Sequence, residues 1–284
     1  MTIRFQQGMS LIETIIVILL LALLSGVIIL LITVPLKTYH DTQDRAELIQ
    51  LGDVVLQRFS KEIKQAVPRS IRIDSTGQRI EFLHATHVGH YRAITEGSEL
   101  ALSFTDSSQT FYSLSPIDIS AIKVGSGSQA CRQAEADCLI IYHPDLFASH
   151  AYQGNIATVS QVEVNSGKTT ISFDNSDLGG WHFTQPFSSF PHVQQLFYIT
   201  DTAISYDCST QLFMRYAQYP ITATQPTGFS TDKGKRLADK ISHCQFSLIP
   251  SEKGDIVKLS LRILSYRTYQ RTELVQQILV PYPL

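Results

Sequence analysis

Several groupings of residues in this chain have types and spacings that bear on chemistry. The first is Gly8, Met9, Ser10, Leu11, Ile12 and Glu13, which follow a short polar leader containing Arg4 and precede a long apolar run. A glycine leaves the backbone accessible and extended, the shape a peptidase must grip. A glutamate beside an apolar run is costly in lipid. At the centre of a membrane helix a charge costs at least about 2.5 kcal/mol, so intramembrane carboxylates are usually paired with a second group.

The four cysteines, Cys131, Cys138, Cys208 and Cys244, all fall in the carboxyl-terminal part, without the close-set pairs of a zinc ribbon. That pattern predicts disulfides outside the cytoplasm. Four cysteines allow three connectivities. The preferred one joins Cys131 to Cys138 across a short polar loop and Cys208 to Cys244. His143 or His243 could join these cysteines around a metal, but with no pair of ligand motifs no metal site is expected. "FDNSDLGGWHF" sets the side-chain oxygens of Asp174, Asn175 and Asp177 beside two glycines and the sole tryptophan, Trp181. Such a loop could hold calcium or offer an aromatic face to a sugar. The full twelve-residue calcium pattern is missing, so a tight turn followed by a core tryptophan is the favoured reading.

His84, His87 and His90 recur at a spacing of three in a segment that reads as loop or strand, and are expected at the surface. No G-x-S-x-G elbow, H-E-x-x-H helix or G-x-x-x-x-G-K-[ST] loop occurs. A catalyst is therefore not expected, and neither is a cofactor. With 284 residues, 44% of them hydrophobic, the chain has enough material for a sizeable core. Its net charge of −2 gives no electrostatic footprint for nucleic acid.

The elements that position these groups begin with the apolar run. From Ile15 to Leu36 no residue is charged, and as a helix this stretch would be about 33 Å long, enough to cross a bilayer. A signal peptide has a shorter apolar core followed by a small-residue cleavage site. A retained transmembrane segment over about 12–36 is the better reading. Flanking charges barely decide its orientation. The cysteines do, placing the carboxyl-terminal domain in the periplasm and the anchor in the inner membrane.

Beyond the span, Leu48, Leu51, Val55, Phe59, Ile63 and Ala66 recur at three- and four-residue spacing, while Asp44, Glu47, Asp53, Lys61 and Lys64 fall off that stripe. One helix over 9–67 follows, ended by Pro68. Pro35 is expected to kink it and Gly52 to weaken it. "SIRIDSTGQRIEF" reads as a hairpin turning at Asp74 to Gly77. "ELALSF", "CLIIYH", "TTISF" and "QQLFYI" read as short strands. Val257, Leu259, Leu261 and Ile263 alternate with polar residues, as in a strand with one buried face. The fold class is α+β: a leader over 1–8, the helix over 9–67, and one β-rich domain over 68–284, in one or two sheets.

The segment from Gly8 to Glu13 resembles the cleavage and methylation signal of type IV prepilins and type II secretion pseudopilins. The resemblance implies cleavage by prepilin peptidase between Gly8 and Met9, methylation of the new amino terminus at Met9, and a role in subunit assembly for Glu13. Its partner would be the amino terminus of a neighbouring subunit. The first mature residue, usually phenylalanine in the family, is methionine here. "QRFSKEIKQAVPRSIRI", "RIEFLHA", "SYDC" and "DKISHCQFSL" resemble the minor pilins of the mannose-sensitive haemagglutinin pilus, relatives of the J-type minor pseudopilins. Residues 86–200 add little. The resemblance implies a long helix packed on an antiparallel sheet domain, with other minor pilins, the major pilin and the assembly platform as partners. It also implies a place at or near a filament tip, in biogenesis and surface attachment. A secretion pseudopilus subunit and an anchored calcium- or carbohydrate-binding module are the alternative readings.

Overall fold

The computed structural model describes residues 11–93, 109–141, 151–152, 156–174, 195–229, 233–251, 253–265 and 271–282. Helix α1 covers Leu11–Ile63, 53 residues, or about 80 Å. It runs through Pro35 as one helix. The sequence placed its end at Val67; it stops at Ile63 because the backbone then changes partner. Gln65 and Ala66 close the last turn with bonds from their N–H groups to Glu62 and Ile63. The Val67 N–H donates to the Leu83 carbonyl at 2.8 Å, and the Ala85 N–H to that of Gln65 at 2.8 Å. Residues 65–67 thus already belong to the sheet side before Pro68 is reached.

The strands are β1 (Arg72–Ile73), β2 (Arg79–Ala93), β3 (Thr110–Ser113), β4 (Cys138–Ile141), β5 (Ile156–Asn165), β6 (Lys168–Asp174), β7 (Leu196–Asp207), β8 (Phe213–Tyr216), β9 (Lys235–Ala238), β10 (Ile241–Ser251), β11 (Gly254–Leu264) and β12 (Arg271–Pro281). The β1–β2 hairpin turns at Asp74 to Gly77 as expected, with the Gly77 N–H bonded to the Asp74 carbonyl. The 138–141, 169–173 and 196–199 runs are strands; "ELALSF" lies outside the described residues. The described strands are antiparallel and form two sheets.

The larger sheet orders its strands β1-β2-β3-β6-β5-β4-β7-β8-β9, and β2 also pairs with β7. Hence β2, β3, β6, β5, β4 and β7 close a circuit. Its interior is filled by Tyr91, Phe111, Ile171, Phe173, Ala157, Val159, Leu139, Ile141, Phe197 and Ile199, two side chains from most of these strands. Closure leaves no open edge within the circuit. β2 enters it through register shifts between His84 and His87, where extra residues bend a strand.

The small sheet, β10-β11-β12, lies beside the helix. Val257, Leu259, Leu261 and Ile263 are buried and join Leu48, Val55, Phe59 and Ile63 of α1 in one core. Phe59 sits at its centre, 5.2 Å from the Tyr206 ring and 5.6 Å from that of Phe246. Gly52 does more here than weaken the helix. A Cβ at this position would run into Leu274 Cδ1, so the glycine lets α1 and β12 approach. Asp44, expected on the solvent side, is buried, and Ser265 Oγ donates to its Oδ2 at 3.3 Å.

Candidate functional site

α1 carries two unlike surfaces. From Leu11 to Ile29, at Leu31 and Ile32, and at Leu36 its large apolar side chains are exposed, Leu11 at 78% and Leu31 at 68%. Two hydroxyls within this stretch are satisfied by the helix itself: Ser25 Oγ donates to the Leu21 carbonyl at 2.6 Å and Thr33 Oγ1 to that of Ile29 at 2.8 Å. Hydrocarbon demands this, because it supplies no hydrogen bonds. The helix is long and apolar enough to span a membrane. Glu13 lies exposed in its first turn, and no hydrogen bond or ion pair joins it to another described residue. Gly8 and Met9 lie outside the described residues.

The other end of α1 is tied to the domain through Glu62. Arg58 Nε donates to its Oε1 at 3.1 Å; Arg215 Nε and the Tyr206 hydroxyl donate to Oε2 at 2.7 and 2.8 Å. Burial pushes the Glu62 carboxyl up, but the hydrogen bonds from Arg215 and Tyr206 and the charges of Arg215 and Arg58 outweigh it, leaving the group below its ordinary value. The i,i+4 spacing of Arg58 and Glu62 was visible in the sequence; Arg215 and Tyr206, far along the chain, were not. Beside this clamp, Gln57, Lys61, Gln65 and His84 help line an open groove of about 570 Å³. His84 Nδ1 lies 2.9 Å from Asp201 Oδ1 and Nε2 lies 3.2 Å from Gln65 Oε1. His84, His87 and His90 all fall on β2, half-buried, half-buried and exposed.

A second ionic cluster holds the 219–226 loop. Arg72 Nε donates to Glu81 Oε2 at 2.8 Å, while its Nη1 and Nη2 donate to the Ala223 and Thr222 carbonyls. Its guanidinium stacks over Tyr152 at 3.6 Å. Arg79 binds Asp207 Oδ2 through Nε and Nη2 and the Pro226 carbonyl through Nη1. Burial raises the Glu81 carboxyl despite Arg72. The cluster satisfies buried charges within the domain.

The cysteines form the disulfides Cys131–Cys138 and Cys208–Cys244. The first ties a turn-rich loop to β4; the second links β10 to the end of β7. Of the proposed ligand loop, Asp174 ends β6 and is half-buried, while Asn175, Asp177 and Trp181 lie outside the described residues. Among the described residues no group of three or more His, Cys, Asp or Glu side chains is placed to hold a metal. Comparison with protein-family models, curated proteins and solved structures gives no match.

Proposed function

We propose that this chain is a minor type IV pilin of the mannose-sensitive haemagglutinin type, anchored in the inner membrane with its domain in the periplasm and incorporated at or near a filament tip. One observation carries the reading. α1 is a single helix whose amino-terminal half exposes an apolar surface with one carboxylate in the first turn, while its other half is built into the domain core. Such a helix can leave lipid for a bundle of like helices without disturbing the domain. Glu13 would then meet a neighbour's amino terminus, exchanging two costly groups for an ion pair. The disulfides suit an oxidising compartment.

Prepilin peptidase is the first partner in this scheme, followed by other minor pilins, the major pilin and the assembly platform. Mass spectrometry of membrane material from peptidase-competent cells tests it. A chain beginning at N-methylated Met9, and a full-length chain in Gly8→Arg, are the expected results. A mature chain still carrying Met1 would overturn the assignment.

A further inference from the structure

The strand edges of this domain are treated unequally. β1 is two residues long, and β9 is four residues long with Lys235 and Arg236 exposed. Short and charged edges of this kind resist pairing with other chains. β10 is engaged at two points: the Phe246 N–H donates to the Gly77 carbonyl at 2.6 Å and the Ile241 N–H to that of Gln211 at 3.0 Å. β12 has Arg271 and Glu273 at one end and Pro281 at the other, but between them, among the described residues, it has neither protection. It is eleven residues long, and among the described residues only β11 pairs with it. From Leu274 to Val280 it has no charge, proline or glycine, the composition of segments that readily add strands.

The phase of the ladder identifies the groups on the open side. The Tyr282 N–H donates to the Lys253 carbonyl, and every pair in the register keeps that phase. The even-numbered residues of β12 therefore bond to β11, and Glu273, Val275, Gln277 and Leu279 direct their N–H and C=O groups away from it. Val275 is 54% exposed and Leu279 49%. Leu279 also completes a row across the outer face, Ile249↔Ile256↔Leu279, which an added strand would extend.

β12 runs in the same sense as α1. Asp44 meets Ser265, Gly52 approaches Leu274, and Arg69, just past the helix, lies over Tyr282 at 4.5 Å. Copies of the chain anchored in one bilayer would therefore present β12 edges that all run away from the membrane. Two such edges could pair only in parallel, the weaker ladder. We propose that β12 takes up an extended, uncharged strand of a different protein chain, running antiparallel, toward the membrane. The choice of a different chain rests on the anchored orientation proposed above; the open edge does not.

The test uses the full-length chain in its own membrane, with p-benzoylphenylalanine replacing Val275 or Leu279, and Glu163 on β5 as the control position. The expected result is a cross-linked adduct from Val275 and Leu279 and none from Glu163. Peptide mapping should place the Leu279 cross-link about four residues amino-terminal to the Val275 cross-link in the partner, the antiparallel order. Gln277→Pro removes one outward N–H and spares the bonds to β11. It should reduce the adduct at least about fivefold while the Cys208–Cys244 disulfide stays intact. Membrane-bound chain without an adduct, an adduct unaffected by Gln277→Pro, or cross-links in parallel order would overturn the edge proposal. An adduct of two copies would overturn the choice of occupant, and chain in the soluble fraction would overturn the anchored orientation.

Discussion

The two halves of α1 share one backbone ladder and differ in what their side chains meet. Between Leu11 and Leu36 the described apolar side chains lie exposed around the helix, and none of them joins the domain's hydrophobic cores. Between Leu48 and Ile63 they form a stripe, and each buried member of it meets the sheets. The first half suits a uniform apolar solvent, the second a single shaped partner. The contrast separates two kinds of stability. The packed half belongs to the domain's cooperative unit; the exposed half depends on what surrounds it. A helix built this way can change its surroundings at one end while the other end stays fixed.

The packed half is most sensitive at Phe59. Phe59→Ala should destabilise the domain by about 3–5 kcal/mol, read as a lower urea midpoint of the detergent-solubilised chain by near-ultraviolet circular dichroism. Glu62→Ala should cost less, about 1–3 kcal/mol, because it leaves Arg215 and Tyr206 without their acceptor. The same carboxylate sets a pH dependence. Its folded-state pKa is lowered from 4.5, so its contribution is fully present above the unfolded value and is lost as pH falls through the folded one. In Glu62→Gln this part of the acid dependence should disappear; an unchanged profile would remove Glu62 as the clamp. The smallest effect belongs to the exposed half. Leu20→Ala should alter domain stability by no more than about 0.5 kcal/mol in the same assay, and a larger loss would mean that this half does pack on the domain.

What was legible in the sequence follows from the same contrast. An uncharged run, a stripe from Leu48 to Ala66 and the alternation from Val257 to Ile263 each report a face, and local periodicity carries that information. The Asp74 to Gly77 hairpin was legible because its strands are adjacent. Closure of the β2–β7 circuit was not, since periodicity says that a side chain turns inward without naming the strand opposite. Asp44 is buried where Ser265 donates to it, and the Glu62 clamp draws on Arg215, partners that only the tertiary fold brings near. At the amino terminus the order is reversed. The Gly8 to Glu13 pattern was the plainest functional signal in the sequence, whereas of its named positions the structure describes Leu11, Ile12 and Glu13, placing Glu13 exposed in the first turn of α1.

In the proposed filament role Glu13 serves assembly and is dispensable for anchoring. Glu13→Val and Glu13→Gln should both enter the inner membrane normally, since each makes the helix less costly in lipid. The measurement is the amount of each variant in sheared filaments relative to its inner-membrane pool. Glu13→Val is predicted to reach the membrane and to be depleted from filaments. Glu13→Gln should be equally depleted if the carboxylate's charge is required, and less so if an amide acceptor suffices. Normal incorporation of both variants would mean that the Glu13 carboxylate has no part in assembly.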